Sequence, residues 1–186
     1  RPSAPARLAM WLLYELLLVL GFLFYLPKAL WRRRLPHRGW SMRLGRYPDR
    51  VVQSLQGRRA LWIHAVSVGE VLAVQPLARA LRQAAPDDPL VLSTITPTGF
   101  AVASQQAGEC TPIYFPLDLR GCVGRALDTL RPRLLLLVES ELWPMVIRLS
   151  HARGIPVAVV NGRISPRAFQ RYRVVKPWLR GTLDGV

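Results

Sequence analysis

From residue 57 onward, short apolar runs alternate with stretches in which apolar residues recur every three or four positions. The runs at 61–66, 90–95, 111–115, 133–138 and 156–160 predict strands, and the spacing over 70–83, 99–106, 119–130, 142–153 and 166–179 predicts helices. Such alternation builds βα units on a parallel sheet, so the expected fold class is α/β with a Rossmann-like parallel sheet. Pro86, Pro89, Pro112, Pro132 and Pro156 punctuate the helix-to-strand connections, whereas polar residues gather on the strand-to-helix side. Open α/β sheets bind ligands on that second side.

A different pattern precedes these units. Residues 8–27, LAMWLLYELLLVLGFLFYLP, are nearly all apolar, and about 20 helical residues at about 1.5 Å each cross a hydrocarbon core of about 30 Å. An N-terminal membrane-anchor helix is expected, with Glu15 as its costly residue and an interfacial helix as the alternative. Arginines 32, 33, 34, 38, 43 and 46 and Lys28 follow the span, which places the rest of the chain on the cytoplasmic face of the inner membrane. The expected organisation is an anchor over 1–27, a basic juxtamembrane segment over 28–56 and a Rossmann-like domain over 57–186.

Composition narrows the partners. The chain has 186 residues, enough for one core, and 26 Lys plus Arg against 11 Asp plus Glu give a net charge of +15. An anionic partner follows. The arginines adjoin a hydrophobic span and lack interleaved base-stacking aromatics, so an anionic membrane surface is preferred to nucleic acid. Cys110 and Cys122 have no metal-ligand spacing and read as reduced packing residues. The sequence begins at Arg1 and ends on 183–186, the start of another strand, which is compatible with a fragment.

Chemistry concentrates in four strand-to-helix turns: Ser67-Val-Gly-Glu70, Thr94-Ile-Thr-Pro-Thr-Gly99, Glu139-Ser-Glu-Leu-Trp-Pro144 and Asn161-Gly-Arg-Ile-Ser165. In a doubly wound sheet of order 3-2-1-4-5 the chain reverses between strands one and four, so Glu70 and Glu139 would flank one crevice. Glu70 has two readings, a general base and a first-turn glutamate that complements the helix dipole. Glu139 lies nearer the sheet, and Glu141 suits capping or pairing with an arginine. Thr96, Thr98 and Gly99 suit an anionic group at a helix start, with plain N-capping by Thr98 as the alternative. His64 lies inside a strand and reads as a core histidine. Arg163, Arg167 and Arg171 would form one cationic stripe on a helix. No zinc pattern, phosphate-binding loop or Ser-His-Asp signature is present.

Five motifs in order, His64-Ala-Val-Ser-Val-Gly-Glu70, Thr96-Pro-Thr-Gly99, Tyr114-Phe-Pro-Leu-Asp118, Glu139-Ser-Glu-Leu-Trp-Pro144 and Asn161-Gly-Arg-Ile-Ser165, follow a basic Arg43-Leu-Gly-Arg-Tyr47 segment. Together they resemble the N-terminal half of the 3-deoxy-D-manno-octulosonic acid (Kdo) transferases of lipopolysaccharide assembly. The resemblance implies the GT-B architecture, with this chain as the acceptor-binding domain and the CMP-Kdo-binding domain absent. It implies inverting transfer to a lipid A precursor, with Glu70 as general base and Glu139 supporting the transition state. Substrate contacts are then expected from Ser67, Gly69, Thr96, Thr98, Gly99, Glu141 and Arg163, with no metal in the transfer step and no cofactor beside the donor CMP-Kdo. The competing expectation is a non-catalytic, membrane-tethered binding module of Rossmann type whose carboxylates are structural.

Overall fold

A computed structural model describes residues 4–31, 39–105, 108–139 and 142–162. The chain divides into two compact units, Arg1–Trp40 and Ser41–Val186. The first holds helix α1 (Ala4–Trp31), with side chains described over 9–24 and the apolar ones from Leu12 to Phe24 largely exposed. This corrects the expected anchor. Among the described residues no helix is long and apolar enough to cross a membrane. Its described side chains include the ionisable Glu15, a carboxylate that is costly at the depth of a hydrocarbon core. The inner-membrane, cytoplasmic-face placement that rested on the anchor falls with it.

The second unit contains a five-stranded parallel sheet of order β3-β2-β1-β4-β5. Its strands are β1 (Leu61–His64), β2 (Leu90–Thr94), β3 (Thr111–Tyr114), β4 (Leu134–Val138) and β5 (Val157–Val160). β1 is central, pairing Leu61 to Leu90 and Leu134, and His64 to Ser93 and Leu137. The expected order and its reversal between β1 and β4 are both present. β1 and β2 are buried at every position, which is why they read as unbroken apolar runs rather than alternating ones.

Two short helices, α2 (Trp40–Arg43) and α3 (Asp49–Leu55), occupy sequence read only for its charge. The helix expected over 70–83 is two, α4 (Val68–Ala73) and α5 (Gln75–Ala84). Pro76, the second residue of α5, explains the break: it has no N–H for a continuing helix and restricts the residue before it. The remaining helices are α6 (Pro97–Gln105), α7 (Arg120–Leu130) and α8 (Pro144–Ala152). The expected helix over 166–179 and strand over 183–186 lie outside the described residues.

Strand residues alternate between two layers. Leu61, Ile63, Leu90, Leu92, Leu136 and Val138 join Val71, Val74, Ala78 and Ala103 in one core cluster beneath α4, α5 and α6. Trp62 and His64 face the other way, where α7 packs on α8 and α3. Cys110 and Cys122 are buried, and burial pushes the Cys110 thiol up to about 11.

The basic Arg43–Tyr47 segment is pinned against α7 at Gly45. Gly45 has φ +76, and a Cβ there would lie 2.3 Å from the Cys122 carbonyl oxygen. Flanking bonds hold the same segment, with Leu117 N–H donating to Arg43 O at 2.7 Å and Arg125 Nε donating to Leu44 O at 2.8 Å. Gly45→Ala meets both a disfavoured backbone conformation and a backbone collision. It is expected to cost about 2–4 kcal/mol, read as a lower urea midpoint with an unchanged slope.

Candidate active site

β1 ends at His64, and the chain enters α4 through Ser67. Ser67 is extended, with φ −111 and ψ 167, and its Oγ accepts from Glu70 N–H at 3.3 Å. Glu70 reaches back: Oε1 accepts from the Ser67 hydroxyl at 2.7 Å and Oε2 from Val66 N–H at 2.8 Å. This is a capping box in which the carboxylate extends one residue past its usual backbone partner. Glu70 is only 8% exposed and its carboxylate is fixed in orientation, yet each oxygen retains a lone pair for a further donor. The capping geometry therefore also presents an oriented base, and the two readings of Glu70 do not exclude one another. Gly69 is exposed, and among the described residues a Cβ there would meet only Ser67 Oγ, at 3.9 Å.

β2 supplies the neighbouring wall. Thr94 Oγ1 donates to Val66 O at 2.9 Å, which ties the end of β2 to the Glu70 turn. Thr96, not Thr98, caps α6, its Oγ1 accepting from Gly99 N–H at 3.0 Å. Thr98 is exposed, with its hydroxyl 3.4 Å from Thr96 Oγ1. Gly99 allows the close fit, since a Cβ there would lie 2.5 Å from Thr94 Oγ1 and 2.8 Å from Thr96 Oγ1.

Sequence reasoning missed Arg43 at this wall. Its guanidinium donates to Ile95 O and lies over the Tyr114 ring, 4.9 Å from the centroid. Tyr114 in turn stacks on Phe100 with centroids 4.3 Å apart. Burial holds Arg43 below its ordinary value, but a guanidinium stays charged at neutral pH. The signal was only the Arg43-Leu-Gly-Arg-Tyr47 string, because the carbonyl it binds lies 52 residues away.

On the other side of β1, Glu139 follows β4 with φ 60, and its N–H donates to Val160 O at 2.9 Å. A left-handed glutamate is uncommon, and strained residues cluster at functional sites. Asn161, after β5, has φ 54. Because His64 pairs with Leu137, Val66 and Glu139 are each two residues past the last β1–β4 pair. The turn holding Glu70 and the strand end carrying Glu139 thus lie on neighbours spaced about 4.8 Å. Glu141 and Arg163, and with them Arg167 and Arg171, lie outside the described residues.

Two buried groups support this edge from below. Asp118, 4% exposed, receives Met145 N–H on Oδ2 and Val146 N–H on Oδ1, both at 2.9 Å, and so caps α8 from the connection after β3. His64 is fully buried and stacks on Phe115 with centroids 3.6 Å apart. Its Nδ1 lies 3.0 Å from Ser93 Oγ and 3.3 Å from Ser93 O. Burial pushes the imidazole down to about 3, against a small opposing pull from the Ser93 bond.

The sign of the resulting pH dependence is fixed. The unfolded chain binds a proton on His64 below about 6.5 and the folded protein does not until about 3. Stability is therefore intact above about 6.5 and falls as pH drops, by about 1.4 kcal/mol per unit. Urea unfolding at pH 5 and 7.5 should differ by about 2 kcal/mol through this residue, a share that His64→Phe removes.

Among the described residues no three His, Cys, Asp or Glu side chains are grouped to hold a metal ion. What the edge offers is a fixed carboxylate, a second carboxylate on the next strand, and hydroxyls with a guanidinium alongside.

Comparison with known proteins agrees with the family resemblance. The family described as "3-Deoxy-D-manno-octulosonic-acid transferase (kdotransferase)" matches residues 38–186. The 3-deoxy-D-manno-octulosonic acid transferase of Haemophilus influenzae is 37% identical over 123 residues, covering 66% of this chain and 29% of that protein. The enzyme of the same name from Bordetella pertussis is 33% identical over 168 residues, covering 84% of this chain and 38% of that protein. A "Bifunctional glycosyltransferase/methyltransferase" of Fusobacterium nucleatum is 33% identical over 135 residues, 71% of this chain and 21% of that protein. The chain thus spans well under half the length of these curated relatives. With the family matched across the whole sheet and both carboxylate turns, the chain belongs to the Kdo transferase family of glycosyltransferases.

Proposed function

We propose that this chain is the acceptor-side domain of a GT-B enzyme that transfers Kdo from CMP-Kdo to a lipid A precursor with inversion. The observation that carries the reading is the Glu70 carboxylate, nearly buried and oriented by Val66 N–H and Ser67 Oγ at the carboxyl end of the central strand. Glu70 accepts the proton of an acceptor sugar hydroxyl as that oxygen bonds to the anomeric carbon of Kdo. The bond from that carbon to the phosphate oxygen breaks, and CMP leaves with the electron pair. Positive charge that develops on the sugar is stabilised by the carboxylate of Glu139.

The acceptor's anionic groups are assigned to Arg43 and to the Thr96, Thr98 and Gly99 turn, with Arg163 following Asn161-Gly162. Ser67 orients Glu70, Gly69 leaves room above it, and Glu141 assists from the β4–α8 connection. The donor CMP-Kdo is assigned to a second domain within the remaining length of the relatives.

One observation favours a second reading, a non-catalytic binding module: both Glu70 oxygens already serve the capping box. The assay that separates the two measures transfer of labelled Kdo, from CMP-Kdo generated in place, to mono- and bisphosphorylated lipid A precursors by the full-length protein. Product is expected with at least one acceptor. A well-folded full-length protein that forms product with neither would leave the binding module as the function.

A further inference from the structure

Ser93 fixes the proton inventory around His64. Its Oγ donates its single hydrogen to Ile63 O at 3.2 Å and accepts from Trp62 Nε1 at 2.8 Å. It has no second hydrogen to give His64, and the Ser93 carbonyl can only accept, so Nδ1 of His64 must carry the proton for both contacts. Nε2 is then the bare lone pair. It is buried, and it has no partner among the described residues. The ring meets Trp143 edge-on, with centroids 6.0 Å apart and planes at 68°. Trp143 carries the complementary orphan, a buried indole N–H without a partner among the described residues.

A buried donor and a buried acceptor, each unpaired, in rings that touch, point to one interaction rather than two defects. We propose that Trp143 Nε1–H donates to His64 Nε2 through one water, and that the pair are positioning residues that fix Trp143 at the start of α8, four residues after Glu139. The inference rests on the reading of Glu139 given above.

The surrounding bonds suit this duty. The chain Trp143, His64, Ser93, Ile63 ends on the backbone of the central strand. Phe115 covers both rings, 3.6 Å from His64 and 5.2 Å from Trp143 between centroids. Asp118 clamps the first turn of α8 just beyond Trp143. Glu139, four residues before Trp143, holds a left-handed conformation that needs support from its surroundings.

The test uses the full-length protein, with ¹⁵N-labelled tryptophan and the Kdo transfer assay. Trp143→Phe identifies the indole resonance. In His64→Phe, which keeps the ring on Phe115, that resonance is expected to move and its solvent exchange to quicken at least tenfold. The value of kcat should fall about tenfold while KM for both substrates stays within twofold. Trp143→Phe should behave alike, and the double variant should fall no further than either single one. His64→Gln, whose amide oxygen can replace Nε2, should restore kcat to within about threefold.

An unmoved resonance in His64→Phe, or losses that multiply in the double variant, would overturn the proposal. Should His64→Phe fail to fold, Trp143→Phe with unchanged kcat, or His64→Gln with an unprotected indole proton, would overturn it equally. Glu139→Gln separates this inference from the reading beneath it. If that variant is active while His64→Phe moves the resonance and lowers kcat, Glu139 loses its role and the anchor stands. If Glu139→Gln is inactive while the resonance is unmoved, the anchor falls and Glu139 stands.

Discussion

Glu70→Gln in the full-length protein should lower transfer of Kdo about 10²–10⁴-fold with little loss of stability. Removing a general base has an effect of that size. Gln is the informative replacement because of the capping box. Its amide oxygen can still accept from Val66 N–H, its amide NH₂ can still meet Ser67 Oγ, and S-x-x-Q is itself a capping box. Orientation and helix start are kept, and only basicity goes. Glu70→Ala would remove both bonds and add about 1–2 kcal/mol of destabilisation, which confounds the rate. A folded Glu70→Gln protein with more than about a tenth of the native rate would mean that the carboxylate serves only the turn.

The sheet was legible because its signal is periodic. Apolar runs at Leu61–His64, Leu90–Thr94 and Leu134–Val138 sit at βα spacing, and the order around β1 follows from doubly wound topology. Local stereochemistry accounts for the smaller departures. Pro76 divides one expected helix into α4 and α5, and Pro97 can occupy the first position of α6 because Thr96 precedes it as the cap. The helix α3 was hidden by its length of 7 residues and by neighbours that drew attention to charge.

The anchor illustrates the opposite failure. An apolar run of sufficient length reads as a membrane span from composition alone, and no helix among the described residues meets that condition.

Within the candidate site, positions set by the backbone next to them were visible and positions set by distant partners were not. Glu139 follows directly on β4 and Glu70 lies in the first turn of the helix after β1, so their side of the sheet could be inferred. Arg43 reaches a carbonyl 52 residues away, and Asp118 caps a helix 27 residues on. His64 was read as a core residue, which it is, but its second nitrogen has no partner among the described residues. That distinction depends on the Ser93 hydroxyl, a partner on another strand.

Asp118→Ala should be the most destabilising single change to a polar side chain in the α/β unit, about 3 kcal/mol. Its carboxylate accepts two charge-assisted bonds from Met145 and Val146 at the positive end of α8, in a site closed to water. Alanine leaves both N–H groups buried and unpaired, which costs more than the bonds themselves contribute. For a unit of this size the loss corresponds to a fall of about 6–12 °C in Tm. Asp118→Asn retains one acceptor but turns an NH₂ toward the other N–H, so it should recover less than half of the loss. Because α8 begins one residue after Trp143, the surviving folded Asp118→Ala protein should also show a lower kcat at 25 °C. An unchanged melting temperature would mean that solvent reaches Met145 and Val146 N–H, and that the start of α8 is looser than its hydrogen bonds indicate.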